Sequence, residues 1–571
     1  GLVAGRKIPV KLRRGLPQRW RDRRRFAIVE TGFGCGLSFL AAWQAWREDP
    51  ARCERLDFVS IEKHPFQAAD LAALLEKFPQ VKNESNQLVA SWPLLVPGMH
   101  RLEFEAGRVV LTLAFGDVAE TLPQLRLAAD AFFLDGFAPS KNPAMWEPRL
   151  LRHLGRLAAP QATVATWSVA AQVRTALEGA GFRVEKRPGF GSKKEMLTGS
   201  LIPRLSRDST LNSNSNSNSS NTRSTLVIGA GVAGAAVSER LASRGWRVTL
   251  IERHGGPAAE ASGNPAGIFH PIVSPDDSLF ARVTRAAFLF LLNHWKKLDG
   301  LEWERCGVLQ LARNAEELKS QRRALETLGY PARYAQFDEA DGGIRFPEAG
   351  WVKPRSLVQA LLARNGIETK FGREVAVLDF EHGNWNAMDK HKKIIASAPV
   401  AILANAADAL RLAPQPQVRL RRVRGQLTLV PAIAALDHVR LRGGMALPGI
   451  DGLSLVGASY DIDDEDPQLR VDSHAGNLAR LEQIVPGASR GLDPGKLDGR
   501  VAFRAVVRDR LPMIGPIADA RGSGLYGAFA YGSRGLLWAG IGGEILASLL
   551  EDEALPVERK LAAAVDPGRF A

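Results

Sequence analysis

The chain alternates apolar stretches of strand length with stretches of helical period. Ahead of residue 205, Phe26–Glu30, Leu56–Glu62, Val109–Phe115, Ala131–Leu134 and Thr163–Trp167 are rich in apolar residues with little alternation. Strands covered on both faces carry such runs. Leu37–Trp46 and Val169–Ala180 read as helices, and Phe182–Lys186 with Glu195–Thr198 as a closing hairpin. This order predicts an α/β fold built on a doubly wound parallel sheet, with ligands at the carboxyl ends of the strands. The pattern then restarts. Thr225–Ile228, a helix from Val232 and Arg247–Ile251 make a second βαβ unit. Residues from about 300 to 470 read as mixed and β-rich, without strands that the pattern places. Strand Leu525–Ala530, a Gly532–Gly535 turn and a helix to Leu550 follow.

Each βαβ start carries a glycine-rich turn, but of a different kind. The first is Glu30-Thr31-Gly32-Phe33-Gly34-Cys35-Gly36, and the second is Gly229-Ala230-Gly231-Val232-Ala233-Gly234. Two such turns in series imply two cofactors and two reactions. Between them, Leu211 to Asn221 is nearly pure Asn and Ser, which buries too little apolar surface to offset its ordering entropy. The expected division is therefore a domain over 1–205, a linker over 206–223 and a second domain over 224–571.

Around the first turn, acidic residues end successive strands: Glu30, Glu62, Asp117 and Asp135. Gly32, Gly34 and Gly36 let the backbone approach a ligand closely. A carboxylate at Glu62 suits the two hydroxyls of a ribose, and one at Asp117 an adenine amine. Around the second turn, Gly229, Gly231 and Gly234 directly follow a strand, and Glu252 ends the next one. That is the dinucleotide fingerprint. The first glycine makes the turn, the second admits a pyrophosphate, the third lets helix pack on strand, and the acid takes the adenosine ribose.

Composition narrows the partners. Lys and Arg number 75 against 61 Asp and Glu, a net charge of +14, which favours a polyanionic partner through counterion release. The three cysteines, Cys35, Cys53 and Cys306, have no disulfide or zinc spacing. No metal site is expected, and a reducing compartment fits. The longest apolar runs fall far short of a membrane span. A cytoplasmic monomer without membrane contact is expected.

The acidic strand ends resemble those of class I S-adenosylmethionine methyltransferases. The segments Phe132 to Pro143 and Gly189 to Leu197 further resemble the methyltransferase half of the bifunctional tRNA 5-methylaminomethyl-2-thiouridine biosynthesis family. The later segments Ala261 to Gly267, Gly350 to Val352, Ala404 to Ala406, Arg508 to Gly515 and Gly532 to Leu536 resemble the D-amino-acid-oxidase-like FAD family, including the oxidase half of the same bifunctional family. The resemblance implies a class I methyltransferase fused to an FAD-binding Rossmann domain with a β-rich substrate subdomain. It implies that S-adenosyl-L-methionine is held by Glu30, Gly32, Gly34, Gly36, Glu62 and Asp117, with Asp135 beside the accepting amine. It implies that FAD is held by Gly229, Gly231, Gly234, Glu252, Ser262, Gly263, Asn264, Gly267, Gly532, Ser533, Arg534 and Gly535. Arg504 is the implied partner of the substrate carboxylate, Arg508 the holder of the Arg-Asp turn, and His270 a structural residue. Lys193 and Lys194 are placed for tRNA phosphates or a solvated hairpin.

The implied substrate is tRNA with 5-carboxymethylaminomethyl-uridine at the wobble position, oxidised to the 5-aminomethyl form and then N-methylated. The chain departs from the family in two places. Only 25 residues precede Phe26, ten of them Lys or Arg, where the family has a longer segment. Thr166-Trp167-Ser168-Val169 stands where the family has a Thr-Phe-Thr-Ser-type stretch. Two alternatives therefore stay open at the sequence level: an FAD amine oxidase whose first domain only binds tRNA, and a small-molecule glycine or sarcosine oxidase.

Overall fold

The structure is a computed structural model that describes residues 16, 18–135, 142–189, 194–203, 223–517 and 523–570. The Asn/Ser linker, Lys193, the segment from Gly136 to Lys141 and the basic residues ahead of Leu16 lie outside the described residues. The chain divides into two compact units, one of residues 1–222 with 548–560 and one of 223–547 with 561–571. The sequence pattern assigned 548–560 to the second domain; here it groups with the first unit.

The first unit is an eight-stranded sheet: β1 (Arg25–Thr31), β2 (Arg55–Glu62), β3 (Gly98–Phe104), β4 (Val109–Phe115), β5 (Ala129–Leu134), β6 (Ala158–Thr166), β7 (Phe182–Pro188) and β8 (Glu195–Leu201), in the order β3-β4-β2-β1-β5-β6-β8-β7. Strands β4, β2, β1, β5 and β6 are parallel, and β8 and β7 close the sheet as an antiparallel hairpin. Both faces are covered. Phe26, Ile28 and Phe58 pack with Phe39, Trp43 and Trp46 on one side, and Val29, Val59 and Phe132 with Leu154, Leu177 and Phe182 on the other.

Strand β3, antiparallel to β4, was not expected. Its sequence hides it because His100 and Arg101 are buried within it. Arg101 donates to the Glu553 carboxylate at 3.1 Å and to the Ala554 carbonyl at 2.7 Å. Glu553 also takes Arg55 at 3.0 Å. A buried cation is tolerated only with such partners, so 548–560 supplies charges that this sheet requires. The helices Ala68–Leu75, Lys82–Ala90 and Pro148–Leu157 were likewise not expected.

The second unit is built on a six-stranded sheet of β9 (Ser224–Ile228), β10 (Arg247–Ile251), β11 (Ile367–Lys370), β12 (Val400–Leu403), β15 (Met513–Pro516) and β16 (Leu525–Phe529), in the order β11-β10-β9-β12-β16-β15. A nine-stranded sheet forms the β-rich part that the sequence left unplaced. Its longest ladder pairs β13 (Arg421–Pro431) with β14 (Gly499–Val506), antiparallel, with Val423 opposite Arg504. Among the described residues, no helix is long and apolar enough to cross a membrane.

Candidate active sites

In the first unit the strand ends converge as their parallel order requires. Gly32 N–H donates to the Ile61 carbonyl at 2.8 Å, and Asp135 N–H to the Thr31 carbonyl at 3.1 Å, so the tips of β2, β1 and β5 are stitched together. Gly32, Gly34 and Gly36 all have positive φ, 84°, 55° and 77°, and Gly36 caps the helix Leu37–Glu48. Glu62 bridges the turn: one carboxylate oxygen accepts from Gly34 N–H at 2.9 Å and the other from His64 N–H at 2.8 Å. Glu30 is fully buried and accepts from the Ser60 hydroxyl at 2.9 Å. Asp117 caps the short helix after β4 through Ala119 N–H at 2.9 Å and accepts from Lys63 Nζ at 2.9 Å. The Lys63 hydrogen bond, followed by that of Ala119, holds its carboxyl below the ordinary range. Asp135 is half-buried at the end of β5.

The second turn repeats the bridge. Glu252 accepts from Ala230 N–H at 2.8 Å and from His254 N–H at 2.9 Å. Packing at the glycines is tighter here. A Cβ on Gly234 would lie 1.9 Å from the Gly229 carbonyl oxygen, and one on Gly229 2.7 Å from that of Ala404. A Cβ on Gly231 would lie 3.0 Å from Ser262 Oγ, which accepts from Val232 N–H at 3.0 Å. A cleft with about 1060 Å³ of empty space, open to solvent, runs from Gly229, Gly231 and Glu252 past Ser262 to Arg504, Gly532 and Gly535.

Two family models cover most of the chain. Residues 224–549 match FAD dependent oxidoreductases, and residues 79–202 match S-adenosyl-L-methionine-dependent methyltransferases. The chain is 47% identical over 601 residues to the tRNA 5-methylaminomethyl-2-thiouridine biosynthesis bifunctional protein MnmC of Paraburkholderia phytofirmans, across 97% of this chain and 91% of that protein. The MnmC of Burkholderia multivorans is 48% identical over 599 residues with the same coverage. The chain belongs to the MnmC family. Over 61% of its length the chain also shares the fold of L-proline dehydrogenase from P. horikoshii, at a TM-score of 0.52 and 17% identity, across 98% of that protein.

The cofactors of an MnmC-family chain, FAD and S-adenosyl-L-methionine, fit the two turns. In the oxidoreductase unit the side-chain oxygens of Asn264 and Asn405 are buried without a partner, and the glycine cradle leaves no room for a Cβ. A second cavity, with about 1320 Å³ of empty space, brings Ser262, Asn264, Gly267 and His270 together with Gly532, Ser533, Arg534 and Gly535. Gly263 does not line it; a Cβ there would meet the Ala258 carbonyl at 2.4 Å and the Arg500 guanidinium at 2.6 Å.

Arg504 lines both cavities, as do Ser262, Gly532 and Gly535. Its guanidinium lies across β13, where a Cβ on Gly425 would come within 2.4 Å of it. It donates to the Ser459 carbonyl at 3.2 Å, and burial lowers its pKa. A desolvated cation facing a cavity is a site for an anion. Burial also lowers the pKa of Arg534, which contacts His270 Nε2 at 3.5 Å. His270 Nδ1 lies 2.8 Å from the Pro271 carbonyl, and burial with the Arg534 charge lowers the imidazole pKa to about 3. The neutral ring therefore donates from Nδ1 and presents Nε2 to Arg534.

One expectation is corrected. Arg508 is exposed and does not hold the Arg-Asp turn; Asp509 is held bidentately by Arg569, at 2.8 and 3.1 Å. Arg569 lies 60 residues away, and no local pattern marks it. Gly425 was also missed, although a glycine inside a strand signals the close approach of another group. Lys194, at the edge of the hairpin, is the described member of its pair.

Proposed function

We infer that this protein carries out two successive steps on the wobble uridine of tRNA. The oxidoreductase unit oxidises the carbon beside nitrogen in 5-carboxymethylaminomethyl(-2-thio)uridine by two electrons to an imine, which water cleaves, releasing glyoxylate and leaving 5-aminomethyl(-2-thio)uridine. The methyltransferase unit then converts that amine to 5-methylaminomethyl(-2-thio)uridine. When bound, FAD accepts the electrons of the first step and S-adenosyl-L-methionine supplies the methyl of the second. The observation that carries this reading is near full-length similarity to MnmC with both turns intact, each glutamate bridging its own turn.

In the oxidoreductase unit, Arg504 binds the substrate carboxylate by its planar fork and so fixes the carbon beside nitrogen. Glu252, Ser262 and the three glycines of the turn hold the dinucleotide. The Gly532–Gly535 turn, with Arg534, places a helix start and a positive charge at the redox end. In the methyltransferase unit, Glu30, Glu62, Asp117 and the glycines of the turn hold the sulfonium nucleoside. Asp135 orients the accepting amine and takes its proton, directly or through water. The positive charge of the chain serves tRNA binding, with Lys194 among the contacts. The protein acts as a monomer in the cytoplasm.

The test is mass spectrometry of nucleosides after incubating carboxymethylaminomethyl-tRNA with the flavin-loaded protein. Aminomethyl product without S-adenosylmethionine and methylaminomethyl product with it are expected. Unchanged tRNA in both reactions would refute the reading, and arrest at aminomethyl would restrict it to the oxidoreductase.

A further inference from the structure

Beside Arg504 lies an aromatic ring that the reaction as described does not use. Tyr460 is 46% exposed, and its ring centroid lies 5.5 Å from the Arg504 guanidinium carbon. Gly457 and Ala458 line the larger cavity, as does Arg504, and Tyr460 follows them after the buried Ser459. An exposed aromatic ring over a desolvated cation is not a packing solution, because the fold leaves nearly half of it in water.

The segment that carries Tyr460 is held firmly. Ser459 is buried, donates to Asp461 at 2.8 Å, and exchanges hydrogen bonds with Gln426 of β13. Arg424, fully buried, donates to Asp461 at 3.2 Å and to the Asp466 carbonyl at 2.8 Å. Arg470 pairs with Asp464 and Asp466. Two arginines and a buried serine thus fix the backbone on either side of an exposed ring. The same stretch exposes Ile462, Leu469 and Val471, at 52%, 45% and 56%.

We propose that Tyr460 is the platform on which the target uracil stacks while Arg504 holds the carboxylate of its side chain. The inference rests on the functional reading above and specifies how the oxidoreductase selects a nucleotide over a free amino acid. From uracil C5 to the carboxyl carbon of the substituent is four bonds, roughly 5 Å when extended. A base on Tyr460, whose ring centroid lies 5.5 Å from the guanidinium carbon, therefore keeps its carboxylate within reach of Arg504. A wobble base is single-stranded and can be splayed from its neighbours, and proteins take such bases on aromatic side chains. A rigid platform also spares the ordering cost that a mobile one would add.

The test compares flavin-loaded wild type, Tyr460→Ala and Tyr460→Phe with carboxymethylaminomethyl-tRNA as substrate. Binding of glycolate, a carboxylate without a base, is followed in parallel through the flavin absorbance. Tyr460→Ala is expected to raise KM for tRNA roughly tenfold with little change in kcat. Tyr460→Phe restores KM, and the glycolate affinity stays at the wild-type value. An unchanged KM in Tyr460→Ala overturns the proposal. So does a parallel loss of glycolate affinity, which would mean that the ring only props Arg504. Wild-type protein that leaves the tRNA unchanged overturns the functional reading itself, and this proposal with it.

Discussion

The two glycine turns share one bridging device and differ most between two of their glycines, Gly34 and Gly234. In both, a glutamate ending the second strand spans the turn, accepting one N–H from the turn and one from the histidine two residues beyond itself, Glu62 with His64 and Glu252 with His254. The glycines differ. Around Gly234 the constraint is space, because helix and strand touch through backbone atoms. At Gly34 the constraint is handedness: a Cβ would meet nothing within 4 Å, but φ is +55°. A glycine motif read from sequence is therefore two different requirements, and substitution separates them.

The largest effect is expected where backbone meets backbone. Gly234→Ala puts a Cβ where neither the Gly229 carbonyl nor the helix can yield, a penalty of about 3 kcal/mol or more. The purified variant should carry no flavin absorbance, while calorimetry still detects S-adenosylmethionine binding. Retention of flavin at the wild-type level would break the distinction between the two turns.

How much of this was legible depends on where each constraint resides. The parallel strands of the first unit, β9 and β10 of the second, both turns and the glutamates that follow them stand in local sequence, because each is set by neighbours within one βαβ unit, whereas β11 and β12 were not placed. Strand β3 was not legible, because the partner of its buried Arg101 is Glu553, about 450 residues later. Arg569 on Asp509 and Gly425 under Arg504 were missed for the same reason: their meaning lies in a contact between distant segments. The ladder of β13 and β14 joins residues some 70 or more apart, and apolar periodicity alone does not pair such strands.

The bridging glutamates give the next effect. Glu252→Gln and Glu62→Gln each replace a carboxylate that accepts two backbone N–H groups with an amide that has one acceptor oxygen. Each change should cost about 1.5–3 kcal/mol. Glu252→Gln should weaken flavin retention alone, and Glu62→Gln S-adenosylmethionine affinity alone, as read by flavin content and calorimetry of each variant. Clearly unequal losses would show that the matching geometry does not mean matching energetics.

Gly34→Ala tests handedness without a clash. Its cost is that of one residue held in the left-handed region, about 1–2 kcal/mol. S-adenosylmethionine affinity should fall by roughly tenfold, and Gly34→Asn should recover part of it, because Asn tolerates this conformation. A loss as severe as that of Gly234→Ala would mean that handedness at Gly34 is as strict a requirement as space at Gly234.

The smallest effect concerns charge at the next strand tip, where the two units differ again. The methyltransferase has Asp117 after β4, the neighbour of β2, and the oxidoreductase has Lys370 at the end of β11, the neighbour of β10. The folded pKa of Asp117 lies below its unfolded value, first through Lys63 and then through Ala119 N–H. Its stabilising contribution is therefore complete above the unfolded pKa and is lost as pH falls through the folded one. Lys63→Ala raises the folded pKa, so that loss begins at a higher pH. At neutral pH the exposed pair is worth less than about 1 kcal/mol, and S-adenosylmethionine binding should be nearly unchanged there. Between pH 3 and 6, an acid range chosen to bracket the carboxylate titration, the affinity of Lys63→Ala should decline earlier than that of wild type, with flavin retention the same in both. If flavin retention followed the same shifted curve, the acid sensitivity would belong to the whole chain and not to the tip of β4.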